Sequence, residues 1–583
     1  MFFKKRKKFV NSDITPDEIF MDAKNMPGWE RESLEGVMEK AITFKTPLFL
    51  AVFFGLLSLA LLGRVGFLDV VRGSDFADKV YLNRLRAVTL PPARGVIYDR
   101  TGRQLSWNSA ALSSGADAAV PGEEAAVEPV RVYTSMLGLA HVLGYLGYVS
   151  DNSLGFAGKA GVERQYNDVL AGDAGSRLVE VDSKERIISA SLQKPPRDGQ
   201  NITLTIDAEL QSELFRILDG VIQDRGFNAG AGVVMNPRTG EILAMTSWPE
   251  YDSNALSRGD PAEVRSLMSN PRNPFFFRAI SGLYSPGSII KPVMALAALA
   301  EGVVDENKQI FSSGSISVPN PYNPKEPSVF YDWRPQGWVD LRHALAVSSN
   351  VYFYTIGGGF DDVGGLGVSR INKYLKIFGL GNGTGVDLSP EAQGFIPDPE
   401  WKAQTLADKI WRVGDTYNLS IGQGWLQVTP LQMASIVSAI SQDGIRVRPY
   451  MVKEIKNIDG GISYEAKAKY EDPINIDKKY FTAVKEGMRM AAEFGTAAAL
   501  SGLGIDLAGK TGTAEIGKDY VNSWIISFAP YDKPNLAMSI VLERGSVHNL
   551  VGAPFAARQL YEWIKVHRPE YLKNKDLEVR LPN

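Results

Sequence analysis

Three short clusters of serine, lysine, asparagine and threonine could do chemistry in this sequence. Residues 284–292 read Tyr-Ser-Pro-Gly-Ser-Ile-Ile-Lys-Pro, so Ser288 and Lys291 form Ser-x-x-Lys. If Ser288 opens a helix, Lys291 lies one turn on, on the same face, with Cβ atoms about 5–6 Å apart. A lysine held there and partly desolvated has a depressed pKa and can take the serine proton. Unpaired N–H groups at the helix N-terminus favour developing negative charge. Nucleophile, base and oxyanion donor then fit within four residues, without a histidine. Residues 348–350 read Ser-Ser-Asn inside the helical pattern Leu341 to Tyr354. Ser348 there can relay a proton and Asn350 can hold a substrate amide, although such a pair also serves as plain helix-end hydrogen bonding. Residues 509–514 read Gly-Lys-Thr-Gly-Thr-Ala, ahead of strand-like sequence. Lys510, Thr511 and Thr513 would set a cation and two hydroxyls on one strand edge. Such an edge binds a carboxylate and lends a backbone N–H to an oxyanion hole. Gly512 would let a ligand approach the backbone closely.

Each cluster is weak alone. Ser-x-x-Lys arises by chance about twice in a chain of this length, and its bland alternative is a capping serine followed by a surface lysine. The third cluster also contains a decoy: Gly504 to Thr511 matches the phosphate-loop pattern G-x-x-x-x-G-K-[ST] literally. That motif needs a strand before it and a helix after it, whereas Gly512 and Thr513 lead into strand-like sequence. A nucleotide-binding reading is therefore disfavoured. The order Ser-x-x-Lys, Ser-x-Asn, Lys-Thr-Gly, with 60 and 162 residues between the leading positions, is far more specific than any part.

The elements that must position these residues begin with an anchor. Eighteen uncharged residues, Thr46 to Gly63, separate Lys45 from Arg64. They span roughly 27 Å as a helix, enough for a thin bilayer, and Val65 to Leu68 can extend the span. A basic cluster at Lys4–Lys8, with Lys40 and Lys45, biases the N-terminus to the cytoplasm and the remainder outside it. The 583 residues predict about three or four domains, and the net charge of −3 argues against a general nucleic-acid binder. There is no cysteine, which excludes a disulfide framework and thiolate chemistry, and there are only four histidines. Neither a metal nor a cofactor is expected. Leu204 to Asp207 reads as a short strand whose Asp207 caps a helix from Ala208 to about Arg225. Residues 233–246 read as a β-hairpin; helical patterns run over 288–300, 340–356, 429–442 and 479–493. Strands follow at 514–516, 523–528 and 536–542, then a last helix over Pro554–Val566. This order predicts an α+β fold with an antiparallel sheet covered by helices on both faces. Residues 109–128 read as a loop or weakly ordered excursion.

On these residues the chain resembles the class B penicillin-binding proteins, peptidoglycan D,D-transpeptidases, over nearly its whole length. Further motifs carry the likeness: Arg94 to Arg100, Gly161 to Tyr166, Leu204 to Asp207, Ile421-Gly-Gln-Gly, and Val428-Thr-Pro-Leu-Gln. Glu163-x-x-Tyr166, Ile421 to Gly424 and Val351-Tyr-Phe-Tyr lean towards the elongation type, penicillin-binding protein 2. The resemblance implies a cytoplasmic tail (1–45), a transmembrane helix (46–68), a mixed α/β pedestal of dimerisation type (69–200), a penicillin-binding/β-lactamase-like transpeptidase domain (201–568) and a C-terminal tail (569–583). It implies Ser288 as the nucleophile on a D-Ala-D-Ala stem peptide and Lys291 as its base. Ser348 would be the proton relay to the departing D-Ala, and Asn350 the holder of the acyl amide. Lys510 would tune the field, Thr511 and Thr513 would bind the terminal carboxylate beside Gly512, and the Ser288 and Thr513 N–H groups would form the oxyanion hole. Implied partners are an amine acceptor, β-lactams, the inner membrane and a RodA-like SEDS glycosyltransferase. A hydrolytic sibling (carboxypeptidase or β-lactamase) shares every motif, and a β-lactam sensor or glycosyltransferase activator is a further alternative. One departure is local: members of the family often carry His-Ala-Trp or similar before the next strand, where this chain has Val521-Asn-Ser-Trp524.

Overall fold

The computed structural model describes residues 45–112, 127–148, 155–182, 186–320, 322–323, 325–549 and 551–573. The basic head at 4–8, the middle of the 109–128 excursion and the end of the C-terminal tail lie outside them. The chain forms two compact units, residues 1–86 and 87–583.

In the first unit the apolar run is a helix, Lys45–Gly66, with no buried side chain. It continues through a π-helical turn, Phe67–Val71. The 27 residues from Lys45 to Val71 are long and apolar enough to cross a membrane. Phe49, Leu59 and Leu62 expose 70% or more of their surface, as a lipid-facing helix requires.

The second unit is built on a five-stranded antiparallel sheet: β1 (Ala229–Met235), β2 (Ile242–Trp248), β3 (Ala508–Ile516), β4 (Tyr520–Ala529) and β5 (Leu536–Ser546), in the order β2-β1-β5-β4-β3. Strands β1, β2, β4 and β5 are mostly buried on both faces because both are covered, whereas the edge strand β3 leaves one face open at Thr513 and Glu515. Along β4, Trp524, Ile526 and Phe528 join one core while Ile525 joins the other. Helices Ala208–Arg225 and Ala553–His567 cover the second core through Leu214, Leu218, Leu560 and Ile564. Helices Lys291–Ala300 and Pro430–Ser441 fill the first through Val293, Leu296, Leu431 and Ile436. The helix expected after Asp207 is found at Ala208–Arg225, with the Asp207 carboxylate accepting from the Glu209 and Leu210 N–H groups. Gly226 ends it in the left-handed region.

A second, six-stranded sheet joins segments far apart in sequence. Ile97–Tyr98 pairs in parallel with Asn201–Leu204, which pairs in turn with Val452–Lys456. The flanking motifs meet here. The buried Glu163 carboxylate accepts from Arg94 Nε at 2.6 Å and Arg131 Nε at 2.7 Å. The Tyr166 hydroxyl donates to Asp387, whose carboxylate accepts the Met451 and Val452 N–H groups.

Three expectations change. Gln104–Leu112 and Val127–Tyr133 are paired strands, so the ends of the 109–128 stretch are ladder and not loop. The pattern over 340–356 is two helices, Leu341–Ala346 and Asn350–Gly358. Lys510 and Thr511 lie inside β3, not ahead of it, and no helix follows them. That removes the context a phosphate loop needs.

Candidate active site

The nucleophile candidate sits on a tight turn locked from three sides. Gly287–Ile290 is a 3₁₀ turn, and the α-helix opens only at Lys291. Ser288 therefore does not cap an α-helix, as the spacing first suggests. At three residues per turn, Ser288 and Lys291 are eclipsed, which aligns them more closely than an α-turn would. Gly287 has φ +57°, and a Cβ there would lie 2.7 Å from the Thr513 carbonyl oxygen. The Gly287 N–H donates to the Gly422 carbonyl at 2.8 Å. Tyr284 and Val428 exchange both backbone bonds, at 3.0 and 2.9 Å. Trp524 Nε1 donates to the Ser285 carbonyl at 3.1 Å. The Ile421-Gly-Gln-Gly segment and β4 thus brace the turn, and the departure at 521–524 keeps the tryptophan that does so. Beneath it, the Tyr284 hydroxyl donates to Glu543, which also accepts from Arg278 Nε at 2.8 Å.

Lys291 is fully buried. Its Nζ donates to Ser348 O and Asn350 Oδ1 at 2.8 Å, with Ser348 Oγ and Ser349 O at 3.3 Å. These bonds run to the 348–350 turn and not to Ser288, contrary to the simplest reading of Ser-x-x-Lys; such contacts tighten on ligand binding. Burial lowers the Lys291 pKa from 10.5 to about 7, against the opposing charge of Asp332. Lys510 is also fully buried and donates to Ser348 Oγ at 2.8 Å. Burial holds its pKa well below the ordinary value, with the Lys291 charge adding to the effect. A charged Lys291 disfavours the charged form of Lys510 across the shared hydroxyl. The two shortest acceptors of Lys291 use two N–H bonds, so a neutral amine there keeps a lone pair. A neutral lysine beside a buried hydroxyl is equipped to take and pass on a proton.

The 348–350 turn is held by a residue the sequence reading missed. Ser348 has φ +58°, a strained value for a serine. Asp332, 8% exposed, takes five donors. Its Oδ1 accepts from the Asn350 and Trp333 N–H groups, both at 2.9 Å. Its Oδ2 accepts from Ser349 Oγ at 2.6 Å, Ser312 Oγ at 3.0 Å and the Val351 N–H at 3.2 Å. Those bonds break the 340–356 helix at Ser348 and recap it at Ser349. No local pattern signals this, because the cap comes from a separate loop.

On β3, Gly512 faces Trp524 and Lys510 faces Ile526. Side chains alternate along a strand, so Lys510 and Gly512 point inward while Thr511 and Thr513 share the other face. The expected single array of cation and two hydroxyls is therefore divided. Thr511 Oγ1 donates to Thr496 Oγ1 at 2.8 Å, and Thr513 is exposed. A Cβ at Gly512 would lie 2.8 Å from Pro286 O and 2.9 Å from Ile289 Cγ2. What approaches the glycine is the serine-bearing turn itself. All the predicted site residues nevertheless lie on elements that meet at Ser348 and the edge of β3.

The family profile "Penicillin binding protein transpeptidase domain" matches residues 230–561, and "Penicillin-binding Protein dimerisation domain" matches 103–204. The chain is 29% identical to peptidoglycan D,D-transpeptidase MrdA of Acinetobacter baumannii, over 88% of this chain and 86% of that protein. It is similar in structure to Pseudomonas aeruginosa PBP2 solved in complex with WCK 5153 (TM-score 0.67, 28% identity, covering 84% and 98% of the two chains). It is also similar to a chain from work on structural coordination of polymerization and crosslinking by a peptidoglycan synthase complex (TM-score 0.68, 26% identity, covering 92% and 100%).

Proposed function

The chain belongs to the class B penicillin-binding proteins, and from that premise we propose how its site works as a serine D,D-transpeptidase of the elongation type, cross-linking peptidoglycan. Ser288 attacks the penultimate D-Ala carbonyl of a stem peptide. The Ser288 and Thr513 N–H groups receive the developing oxyanion. Lys291 takes the serine proton, and Ser348, between Lys291 and Lys510, passes one to the departing D-Ala amine. Asn350 holds the acyl amide, and Thr511 and Thr513 bind the terminal carboxylate. An amine acceptor then resolves the ester. β-Lactams enter as mimics of the donor and stop at the ester.

The observation that carries this reading is the buried pair Lys291 and Lys510 on one hydroxyl, Ser348, beside the braced Ser288 turn. A nucleophile needs a base that is neutral near pH 7, and burial supplies it. We read 69–200 as the pedestal and 201–568 as the catalytic domain. The N-terminus is cytoplasmic, the catalytic domain lies outside the inner membrane, and a RodA-like SEDS glycosyltransferase is the membrane partner. The test is labelling with a fluorescent penicillin. Wild type forms a stable adduct and Ser288→Ala forms none. Equal labelling of the two removes Ser288 as nucleophile, and release of the label within minutes favours a hydrolase.

A further inference from the structure

An oxyanion hole works only if its two N–H groups are held at a fixed spacing. The two assigned to it, on Ser288 and Thr513, stand on segments far apart in sequence. Among the described residues, no hydrogen bond joins residues 286–290 directly to residues 511–514. The tip of a third segment links them. The helix Val413–Ser420 runs into Ile421–Gly424, where the Gly422 N–H returns to the Leu419 carbonyl at 3.0 Å and the Gln423 N–H to the Asn418 carbonyl at 2.9 Å. The Gln423 backbone is thereby fixed to a helix end. Gly422 holds the serine side: its carbonyl accepts the Gly287 N–H at 2.8 Å, and a Cβ on it would fall on the Gly287 carbonyl. Gln423 holds the strand side: its Nε2 donates to the Thr513 carbonyl at 3.3 Å.

Sheet geometry gives the direction of the Thr513 peptide groups. Along an antiparallel edge strand, residues whose N–H and C=O both face the neighbour alternate with residues whose N–H and C=O both leave the free edge. The Thr511 carbonyl accepts from Lys510 Nζ at 2.9 Å and the Thr513 carbonyl accepts from Gln423, so both face away from β4. The Thr513 N–H leaves β3 by that same edge, where Gly287 lies against the Thr513 carbonyl. We propose that Gln423 is a positioning residue for the oxyanion hole, its side-chain amide the strut that sets the spacing between the Ser288 and Thr513 N–H groups. It acts through the Thr513 carbonyl and not on the substrate. The inference rests on the transpeptidase reading above. In the step it serves, Ser288 Oγ bonds to the donor carbonyl carbon and the C=O electron pair moves to oxygen. As that oxyanion collapses, the bond to the leaving group breaks and the leaving group takes the serine proton. A misplacement of about 1 Å at such a site costs on the order of 10²-fold in rate.

The test uses the full-length chain in detergent and two donors that differ in one atom, an acyl-D-alanyl ester and its thiono counterpart with C=S at the attacked carbon. Acylation is read from release of the leaving alcohol. Sulfur is larger than oxygen and a weaker hydrogen-bond acceptor, so N–H groups spaced for an oxyanion discriminate against it. Wild type is expected to prefer the oxo ester about a hundredfold. Gln423→Met keeps the length and bulk of the side chain and removes its N–H donor. The preference should then narrow about tenfold, the oxo rate falling while the thiono rate holds within about twofold. The preference is a ratio taken on one sample, so it is independent of how much of the protein is folded. A preference in Gln423→Met within about twofold of wild type overturns the strut, and so does a wild type that takes both esters equally. Turnover that is lost in Ser288→Ala shows that the acyl-transfer reading stands even where the strut fails. Turnover that persists in Ser288→Ala, or a wild type that acylates from neither ester, removes that reading and the strut with it.

Discussion

Replacing Asp332 separates positioning from chemistry at this site. In Asp332→Asn the amide oxygen can keep the Asn350 and Trp333 N–H groups, which already share Oδ1. The Ser312 and Ser349 hydroxyls can rotate and accept from the new NH₂. The Val351 N–H cannot, and it is left buried and unpaired. One such orphan costs about 1–3 kcal/mol, which converts to roughly 5- to 150-fold if it falls on the 348–350 turn needed for acylation. Asp332→Ala strands all five donors and must cost more. The electrostatic consequence has a fixed sign. Asp332 raises the Lys291 pKa against burial, so removing its charge moves that pKa below about 7. Rates of penicillin acylation measured from pH 5 to 9 should therefore fall on the plateau above about pH 7, while the acid limb shifts to lower pH. A merely structural role would lower the rate without moving the limb. Asp332→Ala acylating within threefold of wild type at pH 8, or an acid limb that moves upward, would refute the reasoning.

Other consequences follow from the same geometry. In wild type, acylation should rise with pH through about 7, because Lys291 acts as base only when neutral; a rate flat from pH 6 to 9 counts against it. Gly512→Ala drives a methyl into Pro286 O and Ile289, so acylation should drop at least about tenfold and stability by about 1–3 kcal/mol, read by stopped-flow labelling and thermal unfolding. Glu163→Gln leaves Arg94 and Arg131 as buried, uncompensated charges, and denaturant unfolding should show a loss of about 3–5 kcal/mol. Because the chain has no cysteine, Ser191→Cys on the exposed strand Ile187–Lys194 gives a single label site. An impermeant maleimide should modify it in cells with a permeabilised outer membrane, and protection of that residue would reverse the proposed orientation.

Short-range signals in the chain were readable and held. Asp207 and Gly226 bound the helix Ala208–Arg225 because a cap and a left-handed terminus act within a few residues of themselves. The apolar run after Lys45 forms one long helix because its composition permits nothing cheaper in lipid. Ser288 and Lys291 share a face because three residues is one turn, whichever helix type forms. The order of the three clusters pointed to the chemistry. What no window of sequence contained is the set of energies that make the chemistry work. The break at Ser348 depends on Asp332, 16 residues away on another loop, and Gly512 leaves no room for a Cβ against the Pro286–Ile289 turn. Thr511 and Thr513 part from Lys510 because β3 extends further back than its local propensity suggested. The depressed Lys291 and Lys510 arise from desolvation by the surrounding core, assembled from segments more than 200 residues apart. Caps and spacing are local energies that a chain carries in its order. Burial and the charge state it imposes belong to the packed molecule, since they depend on what surrounds a group and not on what precedes it.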